Sequence, residues 1–161
     1  MEDTKVINET SSTPSKSGPD EFKIEFPAES EYVSVIRLTI SGLAARIDLP
    51  VDIIDDIKVA VSEACTNVIQ HAYNGQGGKV YLNCKVYEDK LAIEVEDTGD
   101  GFEIDKVKSA DQRFEEELDE TQGLGLGLTF IKTLMDDAEI TSKLGKGTVI
   151  KMVKNKPGDN K

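Results

Sequence analysis

Two polar side chains in one segment with helical periodicity have the spacing and the chemistry of a phosphoryl-transfer site. Glu63 and Asn67 are four residues apart within residues 62–73, which have helical periodicity, so both side chains lie on one face of the predicted helix. A carboxylate can accept a proton from a hydroxyl, and an amide oxygen can join a Mg²⁺ shell made otherwise of phosphate and water oxygens. Such a pair alone is typical of a solvated helix surface, but two glycine-rich segments further along the chain favour the chemical interpretation.

The first glycine-rich segment, residues 97–101, follows a predicted strand and reads Asp-Thr-Gly-Asp-Gly. On its own it is typical of an acidic turn. Beside the other segments, a second interpretation gains weight, because Asp97 at a strand end can accept a hydrogen bond from an adenine amino group. Gly99 and Gly101 would let the backbone approach the base, and Thr148 would add a hydroxyl there.

The second glycine-rich segment leads into a predicted helix and carries Gly123, Gly125 and Gly127 in alternation with leucines. Each glycine costs up to about 1 kcal/mol relative to alanine inside a helix, and a typical domain has a net stability of only about 5 to 15 kcal/mol. A turn with close helix packing explains one or two glycines. The triplet favours backbone N–H groups at a helix N-terminus that hold a polyphosphate.

The helix predicted for residues 52–72 would position the first pair. Its apolar stripe is centred near Ala64, and at about 100° per residue Asn67 and Glu63 fall roughly 60° and 100° to one side of that centre. Both side chains are therefore expected at the rim of the core, where a cleft could open.

The remaining patterns alternate between strands and helices. In chain order they predict a strand at 22–26, a helix at 30–49, the helix at 52–72, a hairpin of 80–86 and 91–95, a helix around 128–135, and strands at 139–143 and 148–153. This order predicts an α+β fold, a two-layer α/β sandwich whose mixed sheet carries helices on one face.

The length of 161 residues suits one domain with one core. Residues 21–155 are predicted to form this domain. Residues 1–20, poor in apolar side chains, and residues 156–161 are predicted to be flexible tails. Residues 102–122, rich in charge, are expected to form a lid.

The charge balance limits the kinds of partner. With 19 basic and 31 acidic residues the net charge is −12, which disfavours direct nucleic-acid binding and favours basic partners. Cys65 and Cys84 form no metal-ligand pattern and are expected to be reduced thiols. Since neither a signal peptide nor a membrane span is apparent, a cytoplasmic protein without membrane contact is expected.

Taken together, these segments resemble the GHKL (Bergerat-fold) ATPases over residues 22–154. More narrowly, residues 63–67 with 71–73, the Gly-Leu-Gly-Leu run and residues 134–136 resemble the bacterial anti-sigma factor serine kinases of the RsbW and SpoIIAB type. The resemblance implies ATP and Mg²⁺ as ligands. It also implies phosphorylation of a serine on an anti-anti-sigma (STAS-domain) protein, in alternation with sequestration of an RNA polymerase sigma factor, usually by a homodimer.

The resemblance also implies a role for each residue of these motifs. Glu63 would be the general base, Asn67 the Mg²⁺ ligand and Asp97 the adenine reader. The residues lining the base pocket would be Gly99, Gly101 and Thr148, and those near the phosphates Gly123, Gly125 and Gly127. Some relatives carry an arginine just before the last glycine segment, where this chain has residues 120–122, Glu-Thr-Gln. Either Arg113 or no cation would replace it.

Two other functions compete with this interpretation. A non-catalytic ATP/ADP-binding partner-switching module would bind the same ligands, but it would not need the Glu63 base. The detached catalytic domain of a histidine kinase is less consistent, because no phosphoacceptor histidine precedes residue 50. The single histidine, His71, is expected to pack or to cap the helix.

Overall fold

A computed structural model of the chain describes residues 17–73, 77–99 and 120–158, with the backbone alone at 120–126. The described elements are, in chain order, β1 (Asp20–Pro27), a 3₁₀ turn (Ser30–Tyr32), α1 (Val33–Arg46), α2 (Val51–His71), β2 (Lys79–Val86), β3 (Lys90–Asp97), α3 (Glu120–Leu134), β4 (Asp137–Lys143) and β5 (Gly147–Asn155). The predicted α+β class is confirmed, with the helices layered on one side of a single sheet.

The five strands lie in the order β1-β2-β3-β5-β4, and every pairing between them is antiparallel. The expectation of a mixed sheet is therefore wrong. The reason is that the chain places β4 at the far edge and then returns as β5 into the position beside β3. β4 runs parallel to β3, but β5 separates the two strands.

The core lies between the sheet and the helices. Alternate side chains of β2 and β3 are buried, as the sequence alternation predicted. Helix α2 covers them with a stripe that includes Ile57, Val61 and Ala64, each fully buried. Burying a large aliphatic side chain contributes about 1.5 to 3 kcal/mol, so this stripe fixes α2 firmly on the sheet.

Local chemistry sets the ends of the first two helices. Asp48 adopts a left-handed φ of 57°, so α1 stops at Arg46 and does not continue to Pro50. Pro50, with φ −58° and ψ 152°, occupies the N-cap position of α2, where its missing N–H costs no helical hydrogen bond. The α2 bounds agree with the prediction to within a residue.

Helix α3 begins earlier than expected. Its first residue is Glu120, so Gly123 is its fourth residue and Gly125 and Gly127 lie within the helix. Only the first four N–H groups of a helix lack a helical partner. The expectation that all three glycines precede or open the helix is therefore wrong for the last two, whose N–H groups lie beyond that first turn.

Several predictions fall outside the described residues. These are most of the tail at 1–20, Gly101, Arg113, the lid at 102–119 and the last three residues of the tail at 156–161, whereas residues 120–122 of the expected lid belong to α3. Within the described ranges, no helix combines the length and apolarity needed to cross a membrane. Cys65 and Cys84 are free and buried, and burial raises the pKa of both thiols to about 12, as expected of inert reduced thiols.

Candidate functional site

The candidate site is built at the end of the sheet where β3 stops and β5 starts. The last β3–β5 pair is Glu96 and Val149, so the next residues, Asp97 and Thr148, are cross-strand neighbours. Ser142 of β4 pairs with Thr148 on its other side. All three side chains are buried, with 2% of Asp97, 5% of Thr148 and 9% of Ser142 exposed. A carboxylate and two hydroxyls therefore form one polar row on the helix-covered face of the sheet.

The carboxylate of Asp97 is only half satisfied. Its Oδ1 accepts a hydrogen bond from the backbone N–H of Gly99 at 2.9 Å, but its Oδ2 is buried without a hydrogen-bond partner among the described residues. Burial raises the pKa of the Asp97 carboxyl, against the opposing effect of the backbone N–H groups of Gly99 and Thr148. An unpaired buried acceptor is costly, so this oxygen is suited to a hydrogen-bond donor from a ligand.

Two glycines hold the backbone tightly around Asp97. A Cβ on Gly99 would lie 2.0 Å from the carbonyl oxygen of Ala72, just after α2. A Cβ on Gly147 would lie 2.1 Å from the carbonyl oxygen of Asp97, and Gly147 also has a φ of +87° that disfavours other residues. The end of β3 therefore contacts both the end of α2 and the start of β5 through backbone alone.

Tyr73, two residues after α2, also holds the end of β3 in place by hydrogen bonds. Its hydroxyl lies 2.5 Å from the carbonyl oxygen of Lys79, to which it donates, and 3.1 Å from the backbone N–H of Thr98, from which it accepts. Its ring occupies the space where a Cβ on Gly78 would lie. One phenol thus connects the end of α2 with the start of β2 and the residue after Asp97.

Asn67 lies in the second part of the site, where α2 packs against α3. Only 6% of Asn67 is exposed, and its Nδ2 has no hydrogen-bond partner among the described residues. A Cβ on Gly127 of α3 would lie 2.8 Å from this Nδ2 and 3.1 Å from the Oδ1. The absence of a side chain at Gly127 therefore lets α3 approach the amide directly.

Glu63 lies one helical turn before Asn67 on α2 and is half-buried. The helix places the carboxylate and the amide at the rim of the core, as the periodicity predicted. Glu63 retains contact with solvent.

The structure places the predicted site residues in two groups, one beside the end of α2 and one further back along that helix. Asp97, Gly99 and Thr148 form the first group, which contacts the end of α2 through Ala72. Asn67 and Gly127 form the second group, five residues earlier along α2, with Glu63 one turn beyond. For Gly123 and Gly125 the structure gives their place in α3, and Gly101 lies outside the described residues.

Three residues of this site were missed as functional candidates in the sequence. Gly147 could have been found, because it directly precedes Thr148 in a short glycine-rich turn. Tyr73 was seen only as part of a motif. Ser142 carries no local signal, since its position beside Thr148 depends on the pairing of β4 with β5.

Known proteins resemble this chain over most of its length. The family model of the histidine kinase-like ATPase domain matches residues 26–154. A serine-protein kinase RsbW from Bacillus velezensis is 42% identical over 129 residues, which cover 78% of this chain and 81% of that protein. A serine-protein kinase RsbW from Bacillus subtilis is 40% identical over 133 residues, which cover 81% of this chain and 83% of that protein.

The fold has a counterpart among solved structures. It is the crystal structure of the RsbU and RsbW domains of a Mycobacterium tuberculosis protein, with a TM-score of 0.60 at 18% identity. The match covers 86% of this chain and 33% of that longer chain, so it bears on the fold alone. The family model and the curated relatives decide the question of family: the chain belongs to the histidine kinase-like ATPase domain family, among the relatives of the serine-protein kinase RsbW.

Proposed function

We propose that this chain is an ATP-dependent serine-protein kinase and anti-sigma factor that acts in the cytoplasm. It transfers the γ-phosphoryl group of ATP to a serine of an anti-anti-sigma (STAS-domain) protein and, in alternation, sequesters an RNA polymerase sigma factor. The observation that carries the proposal is the buried, unpaired Oδ2 of Asp97. The similarity to the serine-protein kinases RsbW supports the choice of reaction.

The residues around Asp97 fit an adenine base. The amino group of adenine would donate to Oδ2, which otherwise remains unsatisfied. Gly99 and Thr148 would line the same pocket, since the first donates to the carboxylate and the second lies beside it on β5. A guanine base would direct a carbonyl oxygen at a carboxylate, so ATP and ADP are preferred over GTP.

The contact between Asn67 and Gly127 fits the phosphate end of the nucleotide. In the described part of the chain, no three His, Cys, Asp or Glu side chains are grouped to hold a metal ion. The amide oxygen of Asn67 is a suitable single ligand for Mg²⁺, which takes one or two protein ligands and completes its shell with phosphate and water oxygens. When bound, the ion would neutralise charge on the transferring phosphoryl group.

Glu63 is the proposed general base. It lies one turn from Asn67 and is half-buried at the rim of the core, so it can accept the proton of a serine hydroxyl presented beside the phosphates. A nucleotide-binding module without kinase activity would need Asp97 and Asn67 but not this carboxylate. Glu63 therefore favours the kinase over the module.

The proposed assembly is a homodimer that uses the outer face of α1. Val35 and Leu38 are one turn apart on this helix and are 54% and 74% exposed. The guanidinium of Arg46, at the end of α1, lies 3.9 Å from the carboxylate of Asp20 in the edge strand β1. Phe22 of the same strand is also exposed. We infer that a second copy of the chain would cover these exposed apolar side chains.

Replacement of Glu63 separates catalysis from nucleotide binding. Glu63→Gln keeps the shape of the side chain but removes the base, so phosphoserine formation on the STAS-domain substrate should fall by about 10²- to 10⁴-fold, with little change in ATP affinity. Glu94→Gln is the control, because Glu94 is a half-buried glutamate on the face of β3 that points away from the helices. Mass spectrometry of the substrate measures the rate, and an unchanged rate in Glu63→Gln would leave the non-catalytic module as the better account.

A methyl group at Gly127 should disturb the phosphate end of the site. Gly127→Ala brings a Cβ to about 3 Å from the Asn67 amide, so the affinity for Mg²⁺-ATP should fall by about tenfold or more. Gly42→Ala is the matched control, because it also lies within a helix and a Cβ there meets no described heavy atom within 4 Å. Calorimetry should find ATP affinity unchanged in the control, and wild-type affinity in Gly127→Ala would contradict the assignment.

A charge on α1 tests the dimer. Leu38→Asp should convert a dimeric protein to a monomer without unfolding it, because Leu38 is already exposed and a buried charge in the interface is costly. Leu144→Asp, at a leucine 63% exposed in the β4–β5 turn, should remain dimeric. Light scattering distinguishes the two, and a Leu38→Asp variant that stays dimeric would exclude this face.

A further inference from the structure

The buried hydroxyls of Thr148 and Ser142 accompany the carboxylate of Asp97. Ser142 has no role in the function proposed above. Ser142 Oγ and Thr148 Oγ1 are 2.9 Å apart, on residues that pair directly across β4 and β5. Thr148 lies between Ser142 and Asp97 in the polar row. Ser142 can therefore reach a ligand at Asp97 only through Thr148.

In the contact between the two hydroxyls either oxygen could donate, but the serine hydroxyl has a second acceptor, which suggests one arrangement of the protons. A serine hydroxyl has one proton, and Ser142 Oγ donates it to the carbonyl oxygen of Gly147 at 3.3 Å. The hydrogen bond between the hydroxyls is then donated by Thr148. The Thr148 proton points toward Ser142, and only lone pairs of Thr148 Oγ1 remain for a ligand on the Asp97 side.

We propose that Ser142 is a specificity-determining positioning residue that holds the Thr148 hydroxyl as a hydrogen-bond acceptor. This inference rests on the proposed binding of ATP at Asp97. The pocket then presents two acceptors, the carboxylate and the hydroxyl, on adjacent strands whose cross-strand Cβ atoms are about 5 Å apart. An exocyclic amino group has two N–H bonds and can serve both acceptors, whereas a carbonyl oxygen can serve neither.

The same geometry predicts what the loss of Ser142 would do. In Ser142→Ala the Thr148 proton loses its acceptor, so the hydroxyl can rotate and donate to a purine that carries oxygen at position 6. Asp97 is unchanged and still accepts from an amino group. The difference in affinity between 6-amino and 6-oxo purines should therefore become smaller, because the oxygen of the 6-oxo purine can then accept a hydrogen bond from Thr148.

Titrations with ATP and ITP test the proposal. ITP differs from ATP by oxygen at position 6 and a proton on N1, and it lacks the 2-amino group of GTP. With Mg²⁺ and the full chain, Ser142→Ala should lower the ratio of ATP affinity to ITP affinity by about three- to tenfold, mainly through tighter ITP binding. Ser142→Thr, which keeps the hydroxyl, should retain the ratio of the unmodified protein.

Two further variants make the test specific. In a Thr148→Val background Ser142→Ala should leave the ratio unaltered, because no hydroxyl remains to be oriented. Ser142→Cys, whose thiol is a weak donor and acceptor, should shift the ratio in the same direction as Ser142→Ala and serves if the alanine variant fails to fold.

Two outcomes would overturn the inference. In one, Ser142→Ala leaves the ratio of ATP affinity to ITP affinity unaltered, and equal weakening of both nucleotides would indicate a purely structural role. In the other, the same change of ratio persists in the Thr148→Val background. If the unmodified protein bound neither nucleotide, the proposed function would fall, whereas ATP binding with an unaltered ratio in Ser142→Ala would overturn this inference alone.

Discussion

The burial of an unpaired carboxylate oxygen is the constraint around which this end of the fold is organised. Asp97 Oδ2 has no partner among the described residues, and burial raises the pKa of the Asp97 carboxyl. Such a group survives only if the surrounding backbone over-determines its place. Gly99 and Gly147 provide this by direct backbone contact with the end of α2 and with Asp97 itself, and the Tyr73 hydroxyl holds the next residue. A ligand donor would recover the free energy lost by leaving the oxygen unpaired.

Helix α2 connects this carboxylate with the proposed chemistry. Its end contacts Gly99 through Ala72, and five residues earlier it carries Asn67 against Gly127 of α3. Five residues of helix rise about 7.5 Å, a separation on the scale of a nucleoside. Because the aliphatic stripe of α2 is fully buried on the sheet, the core fixes the distance between the proposed base end and the proposed phosphate end of the site. Catalytic precision would then follow from core packing.

Local sequence patterns predicted the helices and strands well, but they predicted less well which strands pair and which residues pack together. The periodicity of α2 located Glu63 and Asn67 at the core rim, and a strand end followed by glycines located Asp97. The fully antiparallel arrangement of the strands was missed because it depends on β5 pairing with β3. That pairing joins residues far apart in the sequence, and the alternation along each strand carries no information about it. The start of α3 was missed because glycine disfavours helix locally, so the glycine-rich segment was expected to precede or open the helix. The close approach to Asn67 accounts for the glycine at position 127, which lies inside the helix. Ser142 was missed because its partner lies across a hairpin, so spacing along one strand carries no information about it.

The most direct test of the central claim is to neutralise Asp97 and to measure stability and ATP binding together. A raised pKa means that the native state binds the proton of Asp97 more tightly than the unfolded state does. The free energy of unfolding therefore falls as the pH rises from the ordinary pKa of an aspartate through the raised pKa of Asp97. Asp97→Asn keeps an acceptor for Gly99 but removes the charge. In urea unfolding at neutral pH, the variant without nucleotide should be at least as stable as the unmodified protein. In calorimetry, it should lose about 1 to 3 kcal/mol of ATP binding, roughly 5- to 150-fold in affinity. A variant that is destabilised while binding ATP with unchanged affinity would contradict the account, because Asp97 would then serve the fold and not a ligand.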